Sequence, residues 1–229
     1  MKNFLETYAR HQNYSYDCGY FGEDTIFRNF GERVSIKSLK SIAFEAQKNL
    51  NVSQKEIRES RGITKKGKIN KGTRKYPALE STGIIAIAKK KGYAGTIMLN
   101  PSTKEIMQII DNGLPVLFDW YLKPNIGHWS VIKGYVRGKS KTNGKTKRTN
   151  TWFRIADSND CERLEYNIKR EKLFSQWKGD KGEERRAIIQ WPADHPKSLE
   201  FRTKYRGMPF GPIPKESYEE NPKINYAVY

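Results

Sequence analysis

Cysteine and histidine are scarce in this chain: Cys18 and Cys161 are the only cysteines, and His11, His128 and His195 the only histidines. Two cysteines cannot form a disulfide framework, and no Cys/His spacing resembles a zinc site, so a disulfide-stapled secreted module and a structural zinc fold are both excluded. No Gly-rich phosphate loop precedes a helix, and no cofactor is expected. Acidic residues are also short, 25 against 43 Lys and Arg, giving a formal charge of +18. Long apolar runs are missing: 36% of residues are hydrophobic, and no segment approaches the roughly 20 apolar residues that a membrane span requires. The opening Met1-Lys2-Asn3-Phe4-Leu5-Glu6-Thr7 lacks the apolar core of a signal peptide, which points to the cytoplasm. A thiol kept reduced there stays available, whereas a Cys18–Cys161 bridge would silence it.

What is present gathers around one of those cysteines, in Gln12-Asn13-Tyr14-Ser15-Tyr16-Asp17-Cys18-Gly19. An acyl-transfer cysteine needs thiolate character and a donor aimed at the oxygen that turns negative in the tetrahedral intermediate. The Gln12 amide is such a donor. Asp17 is a candidate N-cap, which places Cys18 in the first turn of a helix, where unpaired N–H groups favour a thiolate. Against this stands the plain reading of Cys18 as a small buried core residue.

A cysteine nucleophile also needs a histidine base and a third group to orient it. His11 adjoins Gln12 and faces away from it on an extended segment, and His195 lies between Pro192 and Pro196. His128 remains. It opens Gly127-His128-Trp129-Ser130-Val131-Ile132-Lys133-Gly134-Tyr135-Val136, an aromatic and β-branched run that reads as a strand. After a polar basic stretch, Thr151-Trp152-Phe153-Arg154-Ile155-Ala156 reads as a second strand, ending at Asp157. In a hairpin the far end of the second strand returns beside the near end of the first, which brings Asp157 toward His128.

Gln-x5-Cys-Gly near the start, Gly-His-Trp opening a strand that ends in Gly-Tyr, and a following strand ending in Asp together resemble the bacteriocin-processing, or double-glycine, cysteine peptidases. These papain-like proteases occur as N-terminal domains of peptide exporters and as free-standing relatives, and the chain is similar to the free-standing kind. The resemblance continues through Leu114–Trp120 as a strand and through Phe174 and Trp177, and covers roughly residues 8 to 180. It implies Cys18 as nucleophile, His128 as general base and acid, Asp157 as the orienter of His128, and Gln12 as oxyanion donor. It also implies a peptide or protein substrate with small residues such as glycine before the cut. Two positions depart from the pattern: Tyr20-Phe21-Gly22 follows Cys-Gly in place of small residues and Pro, and Ser158 follows Asp157 in place of Pro. Asn159 and Asp160 lie close enough in sequence to serve in place of Asp157.

The expected fold is α+β and papain-like, an N-terminal helical half packed on a C-terminal antiparallel sheet. Ile36, Leu39, Ala43, Ala46 and Leu50 recur at helical spacing. Capping boxes at Ser53–Glu56 and Ser102–Glu105 open two further helices, and Leu79–Lys91 reads as another ending at Gly92. Strands are expected at 114–120, 128–136, 151–157 and 185–191. Residues 1–191 form the peptidase domain in this reading. Residues 192–229 form a Pro-rich extended or disordered tail, with a strap across the active-site groove as its sharper version. Two lysine- and arginine-rich segments, 65–75 and 137–149, read as mobile loops open to nucleic acid or an acidic partner. An amidase, isopeptidase or acyltransferase using the same thiol, and an inactive basic binding module, are the competing readings. Nothing in the sequence sets an oligomeric state.

Overall fold

Three strands are apolar on both sides, which requires a sheet covered on both faces. In this computed structural model, which describes residues 2–12, 17–48, 79, 81–123, 126–142, 145–159, 163–177 and 185–212, they are β2 (Tyr93–Leu99), β3 (Val116–Lys123) and β7 (Arg186–Pro192). The other strands are β1 (Lys2–Phe4), β4 (Ile126–Thr142), β5 (Lys145–Ala156), β6 (Glu165–Lys169) and β8 (Met208–Phe210). Among the described residues they make one eight-stranded sheet in the order β6-β5-β4-β3-β7-β2-β8, with β1 added against β4. Every neighbouring pair is antiparallel.

The two-residue period of the strands sorts their side chains into two cores. One face holds Val116, Phe118, Ile189 and Trp191 and is covered by α4 (Thr103–Asp111), α5 (Arg170–Gln176) and α6 (Ser198–Lys204). The other holds Leu117, Val131 and Ile188 under α1 (Cys18–Asn29), α2 (Ile36–Lys48) and α3 (Ser81–Lys90). Ile26 and Phe27 of α1 are fully buried in that second core, each contributing roughly 2 kcal/mol. The capping box at the start of α4 forms as expected: Glu105 N–H donates to Ser102 Oγ at 3.2 Å, and Ser102 N–H to Glu105 Oε2 at 2.7 Å.

The N-terminal segment is tied along this second layer. Leu5 N–H donates to Lys133 O at 2.8 Å, and the Thr7 hydroxyl to Thr25 O at 2.6 Å. Arg10 and Arg28 both place Nε 2.8 Å from Oδ2 of the buried Asp24. Lys133 sits at a bulge between β4 and β5 and turns its ammonium to Thr7 O and Glu165 Oε1. Gly134 follows because a Cβ there would stand 2.6 Å from Asn3 O, so only glycine lets β1 cross. The segment is thereby delivered to the end of the β4–β5 hairpin.

Several expectations are corrected. The basic segment 137–149 is not a loop: β4 and β5 run through most of it, with Thr142 facing Lys145. An antiparallel ladder bonds backbone groups, which a lysine-rich stretch supplies as well as any other, so a hairpin anchored at its base keeps zipping. The expected tail is folded as far as residue 212: Phe201 of α6 is fully buried, and β8 pairs with β2. Pro196 lies just before the N-cap of that helix and Pro209 lies within β8, so neither falls inside it. Three strands separate β8 from β4, so this part of the tail makes no strap over His128. β1, β2, β6 and β8 were not expected as strands. The Ser53 capping box, the basic segment 65–75, Asp160, Cys161 and residues 213–229 lie outside the described residues.

Candidate active site

Cys18 is the first residue of α1. Asp17 O accepts the Phe21 N–H at 3.1 Å, which starts the helix. The Asp17 side chain does not cap it as the sequence suggests; its Oδ2 instead meets Lys40 Nζ of α2 at 2.7 Å. The cysteine is free and 7% exposed. Gly19 lets this first turn sit low, since a Cβ at that position would lie 2.7 Å from Leu79 Cβ and 3.2 Å from Trp129 Cδ1. Leu79 O also accepts the Trp129 indole N–H at 2.9 Å. Tyr20 and Phe21, the departure after Cys-Gly, are buried without interrupting the helix.

His128 lies near the start of β4 and is buried. Strand alternation sends Trp129 and Val131 into the core under α1. Ser130 turns the other way and accepts the Trp120 indole N–H at 3.0 Å; the Trp120 ring stands 6.4 Å from the His128 ring. Val131 faces Ala156 across the β4–β5 ladder, so the next residue along β5, Asp157, falls at the His128 end. His128 Nε2 and Asp157 Oδ1 are 2.7 Å apart. The carboxylate is held twice more, by the Asn159 N–H on Oδ1 at 2.9 Å and by the Tyr166 hydroxyl on Oδ2 at 3.1 Å. Tyr166 escapes sequence reasoning, because only the register that sets it opposite Ile155 reveals it.

Burial disfavours the charged imidazolium, but hydrogen bonds with Asp157 and Cys18, and the charges of both, outweigh burial and hold His128 up to about 9. Burial pushes Asp157 up as well. The His128 contact, followed by the Asn159 N–H and the Tyr166 hydroxyl, keeps it below the ordinary carboxylate value. An imidazole with Asp157 on one nitrogen, its proton affinity raised also by Cys18, can carry a proton between a thiol and a leaving group. Asn159, weighed as a substitute for Asp157, touches the carboxylate rather than the imidazole.

Gln12 is fixed to the turn that follows Asp157. Its N–H donates to Ser158 O at 2.9 Å, its Oε1 accepts the Ser158 hydroxyl at 2.8 Å, and its Nε2 donates to Asn159 Oδ1 at 3.1 Å. His11 is exposed. His195 sits apart, its ring 5.1 Å from that of Phe201 and its Nδ1 accepting the Lys197 N–H at 3.1 Å. Among the described residues no group of three or more His, Cys, Asp or Glu is arranged to hold a metal ion. No described helix is long and apolar enough to cross a membrane.

Helices covering both faces of an antiparallel sheet, with a cysteine opening the first helix and a histidine near the start of a strand, make up a papain-like fold. The peptidase domain of Streptococcus ComA, a bifunctional ABC transporter of a quorum-sensing pathway, has this architecture over 82% of the present chain and 99% of its own, at a TM-score of 0.50 and 17% identity. A double-glycine-motif protease from an AMS/PCAT transporter, solved with its leader peptide, aligns over 83% and 94% at a TM-score of 0.46 and 13% identity. No family model and no curated protein matches the sequence.

Proposed function

We propose that the protein is a papain-like cysteine peptidase working through Cys18, His128 and Asp157, with Gln12 as oxyanion donor. The observation that carries this reading is the 2.7 Å contact between His128 Nε2 and Asp157 Oδ1, with Cys18, which opens α1, among the groups that raise the affinity of His128 for its proton. Cys18 Sγ attacks the carbonyl carbon of the scissile peptide, and the carbonyl electron pair moves onto oxygen. The thiol proton, resting on His128, passes to the leaving amine as the C–N bond breaks. Water then attacks the thioester, gives a proton to His128, and releases the acid and the free thiol. Asp157 keeps the imidazole turned and supports its positive charge throughout. The family resemblance adds a preference for small residues such as glycine before the cut.

The test is a cysteine electrophile at neutral pH with the adduct mapped. Fast labelling at Cys18 that collapses in His128→Ala is expected. Slow labelling, or labelling at Cys18 no faster than at Cys161, would overturn the assignment.

A further inference from the structure

The β4–β5 hairpin outruns the sheet that holds it. β3 pairs with β4 as far as Ile132, β1 as far as Val136, and β6 pairs with β5 only from Trp152. Beyond those limits the two strands pair with each other alone among the described residues, from Arg137 opposite Thr151 to Thr142 opposite Lys145. The outcome is a two-stranded ribbon that takes up residues 137–142 of β4, about 20 Å at 3.3 Å per residue. Arg148 faces Ser140 and Thr146 faces Lys141, which leaves Lys147 as a bulge between them. A bulge adds twist, so the ribbon can follow a curving groove. Its root at Arg137 lies nine residues along β4 from His128, about 30 Å by the same rise, so the ribbon and the candidate active site are separate places.

Residues 137–151 contain six Lys and Arg and no acidic, aromatic or aliphatic residue; the others are Ser, Thr, Asn and Gly. A surface that serves solubility mixes both signs of charge. Unopposed positive charge on a narrow projection suits a polyanion, and composition and shape together choose which. Protein partners are held by apolar and aromatic anchors, of which the ribbon has none. Single strands are held by stacking on aromatic rings, also missing here. The major groove of B-form DNA, about 12 Å wide, admits a two-stranded ribbon, whereas that of A-form RNA is too narrow. Ser, Thr and Asn between the cations are types that add hydrogen bonds to phosphate. We propose that the β4–β5 ribbon is a binding site for double-stranded DNA, which it enters by the major groove with its Lys and Arg on the flanking phosphates.

The test is fluorescence anisotropy of a labelled DNA duplex titrated with the full chain at a series of KCl concentrations. The logarithm of affinity should fall against that of salt with a slope of about 5 or more, six phosphates at about 0.9 each. Lys139→Gln/Lys141→Gln should lower that slope by about 2, and adding Lys145→Gln/Lys147→Gln by about 4 in all, with affinity down at least about tenfold. Lys37, Lys90, Lys104 and Lys172 are exposed on four different helices; changing those four to Gln removes the same charge and should leave the slope within about one. The ribbon variants should keep wild-type iodoacetamide labelling of Cys18, which reports that they are folded, and Cys18→Ala should bind DNA as the wild type does. Equal losses in the ribbon and control variants would make the attraction a property of net charge and overturn the proposal. So would absence of binding, or competition by polyglutamate or duplex RNA as strong as that by duplex DNA.

Discussion

Asp17 Oδ2 and Lys40 Nζ meet at 2.7 Å one residue before the helix that Cys18 opens. A bare carboxylate in that place would oppose a thiolate on Cys18 and cancel the benefit of the helix N-terminus. Lys40, reaching across from α2, neutralises it. The Asp17 side chain is 5% exposed and that of Lys40 16%, so neither charge is well served by water. Lys40→Met should cost about 2 kcal/mol in urea unfolding and slow iodoacetamide labelling of Cys18. Adding Asp17→Asn should recover labelling, since the stranded charge is gone. Labelling in Lys40→Met at the wild-type rate would show that Asp17 does not act on the thiol.

His128 is held up to about 9, burial working against the charge and the Asp157 and Cys18 contacts working for it. The imidazolium therefore persists through neutral pH and is lost as pH rises through about 9. Asp157→Asn keeps the shape and removes the negative charge, so the ring CH resonances of His128 should titrate at a clearly lower pH in the variant. The same midpoint in both proteins would mean that Asp157 contributes no charge stabilisation.

Part of this is visible in the sequence alone. His128 and Asp157 were legible because a hairpin dictates which ends meet, and the basic segment within it did not disturb that logic. β2 was hidden: Tyr93–Leu99 follows Gly92 directly, contains Gly95, and is buried on both faces, so it shows no alternation to read. Tyr166 and the grip of Ser158 on Gln12 were hidden for another reason, since each depends on a meeting between distant segments that leaves no spacing in the sequence. α6 was masked by Pro192, Pro196 and Pro209, which suggest a broken segment although none of them falls within the helix.

Gly19 makes a separate demand on the site. A methyl group there would stand 2.7 Å from Leu79 Cβ, an atom without rotamer freedom to withdraw, and 3.2 Å from Trp129 Cδ1. The first turn of α1 must lift if that methyl is added, carrying Cys18 from His128. Gly19→Ala should lose about 1–3 kcal/mol of stability and much of the Cys18 labelling rate. Gly19→Ala/Leu79→Gly should cost less than the sum of the single changes, because the second removes the Cβ that the first collides with. Strict additivity in urea unfolding would contradict the contact.

Glu23 sits on α1 fully buried against Gln190 of β7, whose Nε2 donates to Glu23 Oε1 at 2.6 Å. Glu23 Oε2 and Gln190 Oε1 have no hydrogen-bond partner among the described residues. Burial pushes the carboxyl from its ordinary 4.5 up to about 8, with the Gln190 hydrogen bond only partly opposing it. At neutral pH Glu23 is thus a carboxylic acid, and its proton can serve both unpartnered oxygens by bridging toward Gln190 Oε1. Because the folded state holds this proton more tightly than the unfolded chain, its contribution to stability is full below 4.5, declines as pH rises, and is gone above about 8. Across that window wild-type stability should fall by roughly 1 kcal/mol per pH unit from this group. His128, also raised, adds the same sign between 6.5 and about 9, so the comparison belongs at pH 5 to 6.5, where Glu23 acts alone of the two. Glu23→Gln keeps the amide-like shape and cannot titrate; urea midpoints for it should be flat over that interval while the wild-type midpoint drops. Equal slopes would place a charged carboxylate in the core and remove the acid–amide pair from the account of how α1 is seated on the sheet.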